Sequence, residues 1–333
     1  MTTRHDQARA DAALGRRECL AFLAACGLAG PAAAQSSFPD QPIRLVIPFP
    51  SGGILDVMAR MLGRRLATAL GQPVIVDNKP GAGGNIGTEF VVRSKPDGSN
   101  LVISGASLVS TVLLQPNLSF NPMKDLAPVA MLATTPGSIV AYPGAPFKTI
   151  QEMVAYAKAN PGKLSFATAG NGSLGHMLGA WLNAVAGIDL LHVPYRGGAA
   201  ASIDVIAGRV PLWFDVAANR EMTLAGKVRA LAVTSKQRTP VLPNVPTLIE
   251  SGYNVDGYTW WALMAPAETP RTIVDRISSE MAKIIAAPAA REELVRLGVD
   301  PEYRPPAELT AFMRTEYDKW GKVIRDAGIK SNE

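Results

Sequence analysis

An α/β fold built from two lobes is what this 333-residue chain predicts, on three observations. From Pro42 onward, short β-branched runs alternate with helical patterns. Glycine-rich turns stand where those runs meet the helices, and the last third becomes rich in aromatics and proline before two amphipathic segments. Alternation of this kind marks parallel strands with helices packed on them. A chain that goes out to a second lobe and returns has the third feature.

The strands read, in order, IRLVIPF, PVIVDN, NLVISGA, SIVAYP, KLSFATA, LLHVPY, VPLWFD and VRALAVTS. The helix after the first of them puts Leu55, Met58, Ala59, Leu62, Leu66 and Leu70 on one face, with Arg60, Arg64 and Arg65 off it. The helix after KLSFATA repeats the pattern through Leu174, Met177, Leu178, Trp181, Leu182 and Val185. Both stripes read as core. After NVDGYTWWALMAPAETP come the two amphipathic helices, around 270–287 and 306–327. The lobe boundaries fall near 137 and 255, so that lobe 1 is 35–137 with 255–333 and lobe 2 is 138–254.

Residues 1–34 do not read as fold. Arg4, Arg9, Arg16 and Arg17 precede the apolar run CLAFLAACGLAG, too short to span a bilayer, and PAAAQS supplies a cleavage site after Ala34. This is an export signal, which places the mature chain in the periplasm. Arg16-Arg17 matches a twin-arginine signal poorly, and LAAC at 23–26 offers a lipobox that would instead leave Cys26 lipidated. Both cysteines, Cys19 and Cys26, lie in this segment, so the mature chain has no disulfide, thiolate nucleophile or cysteine metal site. Removing the segment's four arginines and three acidic residues from the 33 basic and 28 acidic of the whole leaves 29 and 25, a net of +4. That mild charge, with no basic run interleaved with aromatics, argues against nucleic acid. No second long apolar stretch follows.

Four glycine turns stand between a strand and a helix: PSGG (50–53), PGAGGNIG (80–87), AGNGSLG (169–175) and YRGGA (195–199). Turns of this kind gather at the carboxyl ends of parallel strands and leave helix N-terminal amides unpaired, which with the helix dipole makes an anion site. One exposed helix N-terminus favours an anion by only ~0.3–1 kcal/mol. Micromolar binding needs about 8 kcal/mol. Two lobes closing on a small carboxylate can supply it, through several charge-assisted hydrogen bonds of ~1.5–3 kcal/mol each.

Other chemistries fit less well. Gly170, Gly172 and Gly175 match the dinucleotide fingerprint GxGxxG, but the next strand ends at Arg196 where that fold wants an acid. A nucleophile elbow around Ser173 would need Gly at 171, which is Asn, and a histidine after Asp215, where none follows. Ser173 reads better as a helix cap. His176 and His192, without a carboxylate at ligand spacing, make no metal site. Asp56, in a first helical turn, has a structural reading beside a functional one, as does Asp215 at the end of VPLWFD; Trp260 and Trp261 are cleft walls or core.

At PFPSGGILDVMAR, DNKPGAGGNIGTE, KPDGSNLVISG, AYAKANPGKLSFATAGNGSLGHM, HVPYRGG, AGRVPLWFD and AGKVRALAVTS, the chain resembles the Bug family of extracytoplasmic solute receptors. These are the TctC-like binding components of tripartite tricarboxylate transporters, and the resemblance runs through essentially the whole mature chain. It implies a type II-like periplasmic-binding-protein fold, two α/β lobes with a ligand cleft between them. It also implies a small carboxylate held largely by backbone groups, often through ordered waters. Carried over, the first-turn set is Phe49, Gly52, Gly53, Ile54 and Asp56. The facing set is Thr168, Ala169, Gly170, Gly172, Ser173 and His176, with Ala106, Ser107, Tyr195 and Asp215 nearby. Two departures stand out: Pro50-Ser51 precedes the glycine pair, and Ala180 replaces the usual Glu of HxxGE. The expectation is a monomeric, cofactor-free receptor without catalysis, delivering its ligand to a large and a small membrane subunit. The alternatives are a Ser173 hydrolase and a sensing module for a signalling partner.

Overall fold

The computed structural model describes residues 38–115, 117–195, 197–216, 220–239 and 242–329. The export segment with both cysteines, and Arg196, lie outside these residues. The chain divides into two compact units, Met1–Asp40 and Gln41–Glu333, and the second carries the fold.

Its first strand, β1 (Ile43–Ile47), buries every residue but Arg44, which bonds Asp77 across the sheet edge. β1 runs parallel to β2 (Val74–Asn78) and to β3 (Asn100–Gly105), as βαβ crossovers demand. Helix α1 (Ile54–Leu70) buries Leu55, Met58, Ala59, Leu62 and Leu66 of the expected stripe and ends at Gly71, whose φ of 73° is the left-handed C-terminal cap. After β2 a 3-10 turn (Ala82–Gly84) leads into α2 (Asn85–Val92), and after β3 comes α3 (Ala106–Leu114), then the single turn α4 (Pro122–Asp125).

The expectation of purely parallel layers is corrected at the centre. SIVA of the SIVAYP run is only the last part of β4 (Leu126–Ala141), a 16-residue strand, and YTWWALMAP forms β9 (Tyr258–Pro266). β9 pairs antiparallel with both β3 and β4. Pro128, Pro136 and Gly137 hide β4 from periodicity; the register shifts between Pro128 and Ala130, where a bulge accommodates the missing amide. Up to Pro136 β4 pairs with β9, and from Gly137 it pairs with β7 (Leu212–Val216) and β8 (Arg229–Val233). The remaining strands are β5 (Ser165–Thr168), parallel to β7 and to β6 (Leu191–Pro194), and β10 (Asp300–Arg304), antiparallel to β4. The short, half-exposed β10 was not anticipated. Among the described residues, all ten strands join in one sheet through β4.

Helices α5 (Ile150–Ala159), α6 (Leu174–Ala186), α7 (Gly198–Ile206) and α8 (Arg220–Leu224) belong to the β5–β8 half. In α6 the stripe holds through Leu182, but Trp181 stands edge-on to Trp320 and Val185 is 44% exposed, a correction to its core assignment. The closing helices are α9 (Arg271–Ala286), α10 (Pro288–Arg296) and α11 (Pro306–Asp326). α11 packs on β4, α3 and α6 together and so bridges the two halves of the sheet. Its Trp320 is fully buried and donates its indole N–H to Glu316 at 3.0 Å. Burial of a side chain that size contributes more than the ~1.5–3 kcal/mol of a Leu or Phe, provided its polar atom is satisfied.

Candidate functional site

A cleft of ≈ 560 Å³ opens where the glycine turns meet. One wall carries Pro48, Phe49 and Pro50, then Pro80, Gly81, Gly83 and Gly84. Helix α3 adds Ser107, Ser110, Thr111 and Leu114, spaced as one helical face, and Gln115 follows. The facing wall is Ala169, Asn171, Gly172 and Ser173, with Gly197. The walls are close: a Cβ on Gly172 would lie 3.4 Å from Leu114.

Of the expected residues, the cleft therefore takes Phe49, Ser107, Ala169, Gly172 and Ser173 onto its surface. Gly52, Gly53, Ile54 and Asp56 are not among the lining residues. The Asp56 carboxylate accepts from the Gly52 amide at 3.0 Å and from Arg60 at 3.1 and 2.9 Å. Arg60 also reaches Asn78, which donates to the Phe49 carbonyl at 3.1 Å. The Arg60 hydrogen bonds hold Asp56 below the usual carboxylate range, against its burial. Ala106 is buried beside Gly105, where the helix start touches the Trp260 carbonyl. Trp260 is core, packed edge-on to Phe312.

On the facing side Thr168, Gly170 and His176 shape the loop from behind. The Thr168 hydroxyl accepts from the Gly170 amide at 3.2 Å and lies 2.7 Å from His192 Nε2. His176 Nδ1 accepts from the Gly172 amide at 3.1 Å. Ser173 caps α6, its hydroxyl accepting from the His176 amide at 3.3 Å. The Tyr195 ring turns away, donating to Asp204 at 2.6 Å, and burial and that carboxylate push its phenol up to about 12. Asp215 sits beneath α7: a Cβ on Gly198 would come within 2.3 Å of its Oδ2. Burial raises Asp215 to about 6, opposed by the Val216 amide and the Trp213 indole, which is near but outside hydrogen-bond geometry.

Three contributions went unread in the sequence. The turn at 80–84 was recognised but not assigned to the site; there Gly81, Ala82, Gly83 and Gly84 all have positive φ, a run only a glycine-rich segment sustains. The Ser107, Ser110, Thr111 spacing was a readable hydroxyl face. Gln115, held by Asn85 at 2.8 Å, and Asn171 carried no signal by pattern alone.

Among the described residues, none of those lining the cleft is Lys, Arg, His, Asp or Glu. The helix starts at Asn85, Leu174 and Gly198 follow directly from lining residues, so their N-termini, the positive ends, border the cleft. With the hydroxyls and amides around them, these are neutral donors suited to a small anion. Among the described residues no group of three or more His, Cys, Asp or Glu could hold a metal, and no helix is long and apolar enough to cross a membrane.

A mixed α/β chain whose strands exchange partners around a donor-lined cleft is a solute-binding protein of the two-lobed periplasmic type. It belongs to the TctC family, the tripartite tricarboxylate transporter family receptors, whose model matches residues 58–329. The chain is 39% identical over 327 residues to the UPF0065 protein in the tcbD-tcbE intergenic region of Pseudomonas sp. (strain P51), covering 96% of this chain and 97% of the relative. Among solved structures it is similar to Rpa4515 of R. palustris with adipate, at TM-score 0.82 and 29% identity, over 88% of this chain and 99% of the other. The periplasmic binding protein BugD matches at TM-score 0.78 and 34% identity, over 88% and 99%.

Proposed function

We propose that this chain is exported to the periplasm, captures a small aliphatic dicarboxylate in the cleft, and presents it to the large and small membrane subunits of a tripartite transporter. The observation that carries the reading is the cleft itself: helix N-termini and hydroxyls border it on both walls, and no lining side chain among the described residues is ionisable. Such donors stabilise a carboxylate at each end of a short chain without a counter-ion. The adipate in Rpa4515, a six-carbon dicarboxylate, is in keeping with this. Lobe 1 (35–137 with 255–333) and lobe 2 (138–254) meet where β4 changes partners at Gly137, and a ligand touching both walls favours the closed state.

The receptor works without catalysis. Ser173 Oγ is engaged as a cap, and His176 Nδ1 takes the Gly172 amide, so neither is arranged as nucleophile and base.

Thermal denaturation of the mature chain with succinate, glutarate, adipate, citrate and neutral adipamide tests the reading. A bound acid at ~100 times its Kd stabilises by about 2.7 kcal/mol. Stabilisation by adipamide alone, or ester turnover abolished by Ser173→Ala, would overturn it.

A further inference from the structure

Behind the ligand loop, the rings of His176 and His192 lie stacked, centroids 4.2 Å apart and 8° from parallel. His192 also faces Phe166 at 5.1 Å, so one imidazole lies between a phenyl ring and the other imidazole. Each is wired to the loop through a different atom. His176 Nδ1 is the acceptor of the Gly172 N–H, which requires that nitrogen to be unprotonated and the ring proton to sit on Nε2. His192 Nε2 meets the Thr168 hydroxyl, which in turn accepts from the Gly170 amide.

We propose that His176 and His192 are positioning residues that hold the 168–173 loop in its ligand-binding shape as a neutral pair, and that acidification releases the ligand by protonating His176 at Nδ1. The inference rests on the cleft being the ligand site and adds a regulation to it. The step is simple in its balance. One proton from solvent adds to the Nδ1 lone pair, the Gly172 N–H loses its acceptor, and two N–H groups then point at each other. Gly172, with φ of 73°, can turn away where a side-chain-bearing residue is restrained, and it forms the cleft wall opposite Leu114.

The two histidines do not contribute equally. A proton on His192 leaves Thr168 satisfiable, because its hydroxyl can take the Nε2 hydrogen and donate to the Gly170 carbonyl at 3.3 Å. His192 acts instead as the stacked neighbour, since two cations cannot share a 4.2 Å stack.

Among the described residues no carboxylate is hydrogen-bonded or ion-paired to either imidazole, and Asp215 is engaged by the Val216 amide. Elements packed on α6 bring His192 on β6 and Tyr195 at its end, Asp215 on β7, and Glu316 and Lys319 on α11; β4 and β5 bring none. Tyr195 is engaged with Asp204, and Glu316 with Lys319 at 2.6 Å. Burial lowers His176 below its ordinary value, and burial with the His176 charge lowers His192 to about 4.

Two measurements on the full mature chain decide it. In the first, nitrogen-15 spectra of the ligand-free protein are followed from pH 8 to 4. The expected result is an unprotonated His176 Nδ1 at neutral pH and a Gly172 amide resonance that moves with the histidine titration. A His176 that titrates near 6.5 while the Gly172 amide stays still would overturn the proposal. In the second, adipate affinity is compared between wild type and His176→Asn, whose Oδ1 stands in for Nδ1 as acceptor but takes no proton. Wild type is expected to lose at least tenfold more affinity than the variant from pH 7.5 to 4.5, a comparison that cancels the titration of adipate itself. Parallel curves would overturn it. Absence of adipate binding at pH 7.5 would count against the ligand class alone, and the spectra would still decide the coupling.

Discussion

The carboxylate of Asp56 accepts the amide hydrogen of Gly52 at 3.0 Å, four residues back, and closes the first turn on itself. This pairing engages that amide, and Asp56 is linked to the cleft wall through Arg60, Asn78 and the Phe49 carbonyl. The aspartate thus braces the wall.

Asp56→Ala is accordingly expected to destabilise the fold by about 1.5–3 kcal/mol, the range for hydrogen bonds to a charged group, and to weaken ligand binding by loosening the cleft wall. Urea denaturation and calorimetry check the two effects. The depressed Asp56 pKa fixes the sign of the pH dependence. Its stabilisation is present above the ordinary carboxylate value and is lost as pH falls through the depressed one, so the variant lacks that acid-side loss.

Asp215 runs the other way. Raised from 3.8 to about 6, it favours folding while protonated and costs stability as pH rises through 6. Asp215→Asn keeps an oxygen for the Val216 amide and is expected to stabilise by roughly 2–3 kcal/mol at pH 7.5, with little change at pH 3.5. Equal effects at both pH values would show that the carboxylate is not penalised.

For His192 the folded value lies below the unfolded one, near 4 against 6.5. Stability attributable to it is full above pH 6.5 and falls as pH drops toward 4, by up to about 3 kcal/mol. In wild type this loss overlaps the gain from Asp215. Chemical denaturation of Asp215→Asn between pH 7 and 4 is therefore expected to fall more steeply than wild type.

Gly105 and Gly71 separate two reasons for glycine. A Cβ on Gly105 would lie 1.7 Å from the Trp260 carbonyl oxygen, whereas Gly71, φ 73°, has nothing within 4 Å. Gly105→Ala is expected to cost at least 3 kcal/mol by forcing β3 and β9 apart, and Gly71→Ala about 1–2 kcal/mol from its left-handed backbone alone. Thermal melts of the two variants rank them.

Much of the fold was legible because it is local. The IRLVI strand, the Leu55-to-Leu66 stripe and the glycine turns each follow from residues within a few positions, whose alternation or helical period reports one buried face. What eluded pattern was β4, since a strand interrupted by Pro128, Pro136 and Gly137 and buried on both faces has no alternation to show. Val185 failed for the converse reason: its period is right, but the side chain is left 44% exposed on α6.

By itself, the order of residues determined that glycine-rich joints would leave helix N-termini open to an anion, because backbone freedom and helix polarity are properties of the chain. Only the tertiary structure decided which joints face one another. The antiparallel insertion of β9 between β3 and β4 lies beside the wall of 48–50, 80–84 and α3, and the change of β4 partners at Gly137 sets 169–173 and Gly197 opposite. Those pairings join segments up to 162 residues apart, Val102 with Met264 in one ladder, and no local pattern encodes contact over such a separation.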